Sequence, residues 1–387
     1  MRPKDADRFA AAAAAYVHIP FCSAVCRYCD FAVVAGRDDL TERYVDAVCA
    51  EIRRAASWRP LDAVYFGGGT PSHVGPGLLR RILDALRARH GIGPGAEVSL
   101  EANPEDFSEV TGERLLRAGF NRVSFGAQSF DPRVLESLGR RHDDTDIEAS
   151  VRAARHAGFG NISVDLIYGT PGETDASWEA SLRRGIDVGP DHVSCYALTV
   201  ERGTPLGRAV REGGRAPDPD VQADRYELAD SLLTAAGFRR YEVSNWSRPG
   251  RECRYNLTVW AQGEYEAYGN GAHGFRAGIR YRNHRRVDAY IERVESGSSA
   301  CAGNDTIEGW DAELDRLFVG LRRSVGVFAG PGTATLLSTE GGRALVDAGV
   351  IAEHADRLLV SRPLLTDAVH RAVLSMSRPI VGVDGDA

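Results

Sequence analysis

Three cysteines fall within eight residues of this chain, Cys22, Cys26 and Cys29, at the spacing C-x-x-x-C-x-x-C. Thiolates that close can bind three irons on one face of an iron–sulfur cube and leave the fourth iron without a protein ligand. S-adenosylmethionine fits that vacancy, because its amino nitrogen and carboxylate can chelate one iron while its sulfonium lies alongside. Reductive cleavage of the sulfonium would then supply a 5′-deoxyadenosyl radical, chemistry that belongs to the bound group and that the protein positions and shields.

Two other uses of clustered cysteines fit less well. A structural zinc site takes four closed ligands, usually as two C-x-x-C halves. No second half follows here, and His18 is the candidate for a fourth ligand. Disulfide frameworks belong to small, cysteine-dense secreted chains, whereas seven cysteines are spread over 387 residues here. Cys49 and Cys195 fall in apolar stretches and read as structural, and Cys301 sits in a polar loop.

Alternation of short apolar strands with helix-period segments gives the fold class, α/β. Strands are expected at 14–18, 61–66, 96–101, 121–126, 161–167 and 191–198. Between the first two, Leu40, Tyr44, Val45, Val48 and Ile52 recur at helical spacing. Six βα units in series argue for a parallel sheet curled into a partial barrel. Within the strands, Tyr16 and His18 share one face, as do Glu97, Ser99 and Glu101, then Arg122, Ser124 and Gln128, then Ser163 and Asp165. Val98, Leu100, Val123, Phe125, Ile162, Val164 and Leu166 take the other face. Apolar faces must meet helices, so the polar faces line the lumen. A closed eight-stranded barrel fills its lumen with branched apolar side chains, whereas this lumen is built for a polar ligand.

The run Tyr16-Val-His-Ile-Pro-Phe-Cys-x-x-x-Cys-x-Tyr-Cys-Asp-Phe31 resembles the opening of the radical S-adenosylmethionine proteins related to oxygen-independent coproporphyrinogen oxidase, and within them the haem-chaperone branch. The likeness runs from about Tyr16 to His273, with a weaker continuation. It implies a (βα)6 core holding a 4Fe–4S cluster on Cys22, Cys26 and Cys29. For S-adenosylmethionine it implies Tyr16 and Tyr28 beside the cluster and Gly68, Gly69 and Thr70 of Phe-Gly-Gly-Gly-Thr-Pro at the amino group. It further implies Glu101 and Gln128 at strand ends, Arg140 on the carboxylate, Asp165 on the ribose hydroxyls and Ala197 beside the adenine. Where the haem-chaperone branch has His-Asn-x-x-Tyr-Trp, this chain has Tyr255, Asn256, Val259 and Trp260. The haem-associated candidates are therefore Tyr255, Asn256, Trp260 and the nearby imidazole of His273. A tyrosinate at Tyr255 is a second possible axial ligand.

The resemblance implies a haem-binding chaperone that passes haem to an acceptor protein, respiratory proteins among the candidates, with an electron donor serving the cluster. The alternative is the oxidase itself, which decarboxylates propionates oxidatively; it carries a further cysteine two residues after the third ligand, where this chain has Phe31. A net charge of −7 gives no basic footprint for nucleic acid. No apolar run approaches the ~18 residues of a membrane span, which leaves peripheral contact as the only membrane association expected. The alanines of Ala10–Ala15 follow Asp5 and Asp7 and make a poor signal peptide, so a cytoplasmic chain is expected. The expected organisation is an extension over 1–13, the core over 14–210 and a connecting, haem-associated region over 211–300. A small, mostly helical, winged-helix-like domain follows over 301–378, then a disordered tail over 379–387.

Overall fold

The computed structural model describes residues 8–376; the tail expected at 379–387 lies outside them. At its centre are six parallel strands, neighbours in chain order: β1 (Ala13–Ile19), β2 (Leu61–Gly68), β3 (Ile92–Ala102), β4 (Arg122–Gln128), β5 (Asn161–Tyr168) and β6 (His192–Ala197). Each lies on the stretch where the apolar alternation placed it, and β3 begins earlier, at Ile92. The crossovers are carried by α1 (Thr41–Arg54), α2 (Pro76–Arg89), α3 (Glu109–Ala118), α4 (Asp144–Ala157) and α5 (Asp175–Asp187). Their apolar stripes meet the strand faces expected to be apolar: Leu100, Val123, Phe125, Ile162, Val164 and Leu166, together with Val64 and Phe66 of β2, are buried with Tyr44, Val48, Leu83, Leu115 and Val151.

Local chemistry sets the helix ends. Ser108 accepts from the Thr111 amide, and Asp143 and Thr174 form capping boxes with Asp146 and Ser177. Gly119 and Gly158 close their helices at φ 108° and 110°, where a side chain would be strained. The following Phe120 and Phe159 amides bond back to the helix, and both rings enter the core.

Beyond β6 the connecting region expected over 211–300 forms further helices and strands. After the helix α6 (Pro219–Ala235), β7 (Arg239–Glu242) and β8 (Asn245–Ser247) run antiparallel and extend the sheet past β6. The chain then crosses by α7 (Arg254–Trp260) to the opposite edge, where β9 (Glu264–Tyr268) pairs parallel with β1. The strands β10 (His273–Arg276), β11 (Ile279–Asn283) and β12 (Cys301–Thr306) continue from it as an antiparallel meander. The helix α8 (Val287–Glu295) connects the last two. The result is one twelve-stranded sheet in the order β12-β11-β10-β9-β1-β2-β3-β4-β5-β6-β8-β7. Residues 211–300 thus supply both flanks of the core sheet. The stretch from Arg240 to Val243 reads as a strand in the sequence, and β7 is found there, whereas β9, β10 and β11 mix polar and apolar residues and carry no such signal.

The C-terminal unit begins at α9 (Gly309–Gly320) rather than at 301, since 301–306 pair with β11. Then come β13 (Val327–Phe328), α10 (Pro331–Ser338), α11 (Glu340–Asp347), β14 (Ile351–His354), β15 (Arg357–Val360) and α12 (Thr366–Leu374). This is the helix-and-wing order expected from the sequence. Its small sheet has the order β13-β15-β14, and Leu317, Leu336, Ile351, Leu358 and Val369 form its separate core. It meets the large sheet through Arg280 donating to Asp315 at 2.8 Å and the Arg322 guanidinium 4.6 Å over the Trp260 ring. Among the described residues no helix is long and apolar enough to cross a membrane.

Candidate functional site: three thiols over a polar lumen

The polar strand faces enclose a cavity of about 460 Å3 at the carboxyl ends of the central strands. Deepest on β5 is Asp165. It accepts from three serine hydroxyls: Ser194 at 2.6 Å, Ser124 at 3.0 Å and Ser163 at 3.2 Å. Ser163 also meets Nδ1 of His192 at 2.8 Å, and the other ring nitrogen of His192 lies 2.8 Å from the Tyr241 hydroxyl. Burial holds this imidazole well below its ordinary pKa, helped by Arg122, so it is neutral. Arg122 is itself 2% exposed and donates to Ser99 at 3.0 Å.

Nearer the mouth, Glu101 accepts from the Tyr65 hydroxyl at 2.9 Å and from the Gly68 amide at 3.0 Å. Burial pushes its carboxyl up to about 7, with a further push from Asp165. Gln128 reaches the cavity through a break in strand register after Phe125 and a left-handed φ of 66°. The glycine loop after β2 has a specific steric cause. A Cβ on Gly68 would stand 2.3 Å from the His18 ring, and one on Gly69 would stand 2.7 Å from the Ile19 carbonyl. The glycines let this loop lie against the strand leading into the cysteine motif, where the Gly69 and Thr70 amides bond the Ile19 and Phe21 carbonyls.

Cys22, Cys26 and Cys29 line the mouth as half-buried free thiols. The Thr70 hydroxyl donates to Cys22 Sγ at 3.5 Å and Arg140 Nη1 to Cys26 Sγ at 3.4 Å. These are donors suited to sulfurs carrying negative charge, and the arrangement fits thiolate ligands of a cluster. Among the described residues no three His, Cys, Asp or Glu side chains converge on a single-ion site. His18, the candidate zinc ligand, has both ring nitrogens engaged, at 3.2 Å from the Tyr16 hydroxyl and 3.1 Å from the Ala32 carbonyl.

Of the residues expected around S-adenosylmethionine, Tyr28, Gly68, Gly69, Thr70, Glu101, Gln128, Arg140, Asp165 and Ala197 all line this one cavity. One residue departs from its expected place. Tyr16 is a layer below, stacked on Tyr65 at 6.3 Å between ring centres. Arg140 is turned to the cysteine side, where Nη2 donates to Asn103 Oδ1 at 2.7 Å and to the Gly126 carbonyl at 2.8 Å.

The four haem-associated candidates are not brought together. Asn256 lines the cavity. Tyr255 packs against Tyr65 and Tyr16 at 5.3 and 5.9 Å, and burial holds its phenol well above 10, which disfavours the tyrosinate. Trp260 lies under Arg322 at the C-terminal unit, and His273 is exposed at the start of β10. The cause is α7, which crosses the strands' other end and carries Tyr255 and Trp260 with it.

Sequence reasoning missed a clamp on the cysteine loop. Asn270 Nδ2 donates to the Ala32 carbonyl at 3.0 Å and to the Arg285 carbonyl at 2.9 Å, and Arg285 Nη2 donates to the Asp30 carbonyl. A Cβ on Gly271 would meet Ala32 Cβ at 2.7 Å. The run Gly269-Asn-Gly-Ala-His273 is therefore shaped for close approach to the cysteine loop. Its glycines were the available signal.

A model of the Radical SAM superfamily matches residues 16–185. The solved structure of coproporphyrinogen III oxidase (HemN) from Escherichia coli superposes with a TM-score of 0.80 at 22% identity, over 95% of this chain and 92% of that one. Fold and site define a radical S-adenosylmethionine protein, a class that holds a 4Fe–4S cluster and S-adenosylmethionine. The heme chaperone HemW of Mycobacterium tuberculosis is 41% identical over 373 residues, 93% of this chain and 94% of that protein. That of Synechocystis is 38% identical over 324 residues, 81% and 79% of the two chains. The chain belongs to the HemW family.

Anaerobically reconstituted protein is expected to hold one 4Fe–4S cluster, and each of Cys22→Ser, Cys26→Ser and Cys29→Ser to bleach its broad visible absorption, since oxygen is a poor ligand for these soft irons. Full cluster content in the triple variant, or stoichiometric zinc in the native protein, would sink the assignment.

Glu101 predicts a pH dependence. Burial pushes its carboxyl up to about 7 in the free site, and a cationic ligand beside it would lower that value. Binding then releases a proton, so S-adenosylmethionine affinity should rise with pH up to about 7 and level off above it. Calorimetry should find this slope smaller in Glu101→Gln, where only the ligand's own amino group still gives up a proton to bind iron; an equal slope in both proteins would place the titrating group elsewhere.

Proposed function

We propose that this chain is a haem chaperone: it binds haem and passes it to an acceptor protein, on a core that retains the cluster and S-adenosylmethionine. The observation that carries the reading is the 41% identity extending over 94% of a protein named heme chaperone HemW. The likeness to the oxidase HemN, at 22% identity, concerns the fold alone. Phe31 also stands where the oxidase carries its extra cysteine, and it is 62% exposed beside the cavity mouth. A respiratory acceptor, an electron donor to the cluster and a cytoplasmic setting complete the proposal.

For the axial ligand the geometry favours His273 over Tyr255. The imidazole is accessible, and its pKa is held below the ordinary value by partial burial and by Arg282, Arg280 and Arg285. It is therefore neutral, with a lone pair to offer iron. Arg282 is its direct cross-strand partner, and the same guanidinium groups suit the two propionates of haem. The Tyr255 phenol is stacked inside and held protonated.

Purified protein is expected to bind haem without turning over coproporphyrinogen. His273→Ala should change the haem absorption spectrum and weaken binding at least tenfold, about 1.4 kcal/mol, whereas Tyr255→Phe should leave both unchanged. The reverse order of effects would restore the tyrosinate, and propionate decarboxylation by the native protein would restore the oxidase reading.

A further inference from the structure

Two of the three motif sulfurs meet side-chain donors from outside the cysteine loop, and a single side chain holds both donors. Arginine has only hydrogen-bond donors, so the Asn103 oxygen must face Arg140, and it accepts from Nη2 at 2.7 Å. The Asn103 amide nitrogen is thereby turned to Thr70, donating to its hydroxyl oxygen at 3.4 Å. A hydroxyl that accepts on this side keeps its own hydrogen for Cys22 Sγ, 3.5 Å away. On the other arm, Nη2 of Arg140 is occupied by Asn103 and the Gly126 carbonyl, which fixes the guanidinium plane and leaves Nη1 at 3.4 Å from Cys26 Sγ. The chain Cys22–Thr70–Asn103–Arg140–Cys26 needs a donor on one side of its central group and an acceptor on the other. A carboxylate lacks the donor, and an apolar side chain lacks both.

We propose that Asn103 is a positioning residue that sets the electron affinity of the cluster, by directing one hydrogen bond onto each of two thiolate ligands. The proposal rests on the reading of Cys22, Cys26 and Cys29 as cluster ligands. Reduction adds negative charge to the cluster and its sulfurs, so donors aimed at those sulfurs stabilise the reduced form more than the oxidised one and raise the potential. Asn103 immediately follows β3, and its own amide donates to the Ser72 hydroxyl at 3.4 Å. The side chain is thus held from its backbone, and it orders both arms without itself meeting a motif sulfur.

The test uses the full chain, reconstituted anaerobically without S-adenosylmethionine, with the midpoint potential followed by electron paramagnetic resonance and the iron–thiolate stretching bands by resonance Raman. Asn103→Leu keeps the approximate volume and removes both functions of the amide. Its midpoint should become more negative by an amount that changes the reduced-to-oxidised ratio at least tenfold, about 59 mV for a one-electron couple, and its stretching bands should move. Thr70→Val should lower the potential of the native protein but add nothing in the Asn103→Leu background, because the hydroxyl is no longer locked there. An unmoved potential and unmoved bands in Asn103→Leu, with its cluster intact, would overturn the proposal. If Asn103→Leu does not take up a cluster, the decision passes to Thr70→Val against Thr70→Ser: a lower potential only in the valine protein supports the proposal, and equal potentials overturn it. Native protein that assembles no cluster at all would instead remove the cysteine assignment on which the proposal rests.

Discussion

One buried guanidinium holds the lumen together. Arg122 draws Glu97, Glu101 and Asp165 toward their charged forms, while burial pushes each of these carboxyls up. Isolated charges at such depth would cost several kcal/mol each. They persist because Arg122 and the hydroxyls of Ser99, Ser124, Ser163 and Ser194 are placed among them. One cation among three carboxyls leaves this part of the lumen short of positive charge. A sulfonium entering from the mouth would supply it, so the electrostatics of the sheet and the choice of ligand are one argument.

The same economy explains the path of the chain after β6. A cysteine loop exposed on one side would need bracing to keep three sulfurs in register. Asn270 and Arg285 provide the brace, bonding to the carbonyls of Ala32 and Asp30. Tyr44 ties it to the core, with its hydroxyl 2.7 Å from the His18 carbonyl and 2.9 Å from the Asn270 side-chain oxygen. The flanking strands therefore belong to the site. α7 closes the far end, where the Arg254 amide donates to Glu97 at 2.9 Å. Cluster loop, lumen and floor are thus fixed by residues from every part of the large sheet.

The core was legible because two signals agreed. Apolar alternation located the central strands, and side-chain parity sent Ser99, Arg122, Ser124 and Asp165 to one face, where the structure brings them together. The start of β3 was not legible, since Gly93, Pro94 and Gly95 carry no strand signal. Nor, apart from β7, were the flanking strands, whose polar residues hide their pairing. Tyr255 and His273 could not be placed from spacing alone. They are 18 positions apart in the chain, but one enters an inner tyrosine stack while the other stays exposed on the flanking meander. Glycines at 269 and 271 signalled a close approach without naming its partner, the loop at Ala32.

The central claim is that three thiolates leave one iron open above a lumen shaped for S-adenosylmethionine. The most direct measurement is the electron paramagnetic resonance spectrum of the dithionite-reduced cluster before and after S-adenosylmethionine is added. Occupation of the open iron should change the signal in the native protein. A spectrum that stays the same at saturating S-adenosylmethionine, with the cluster fully assembled, would contradict the account.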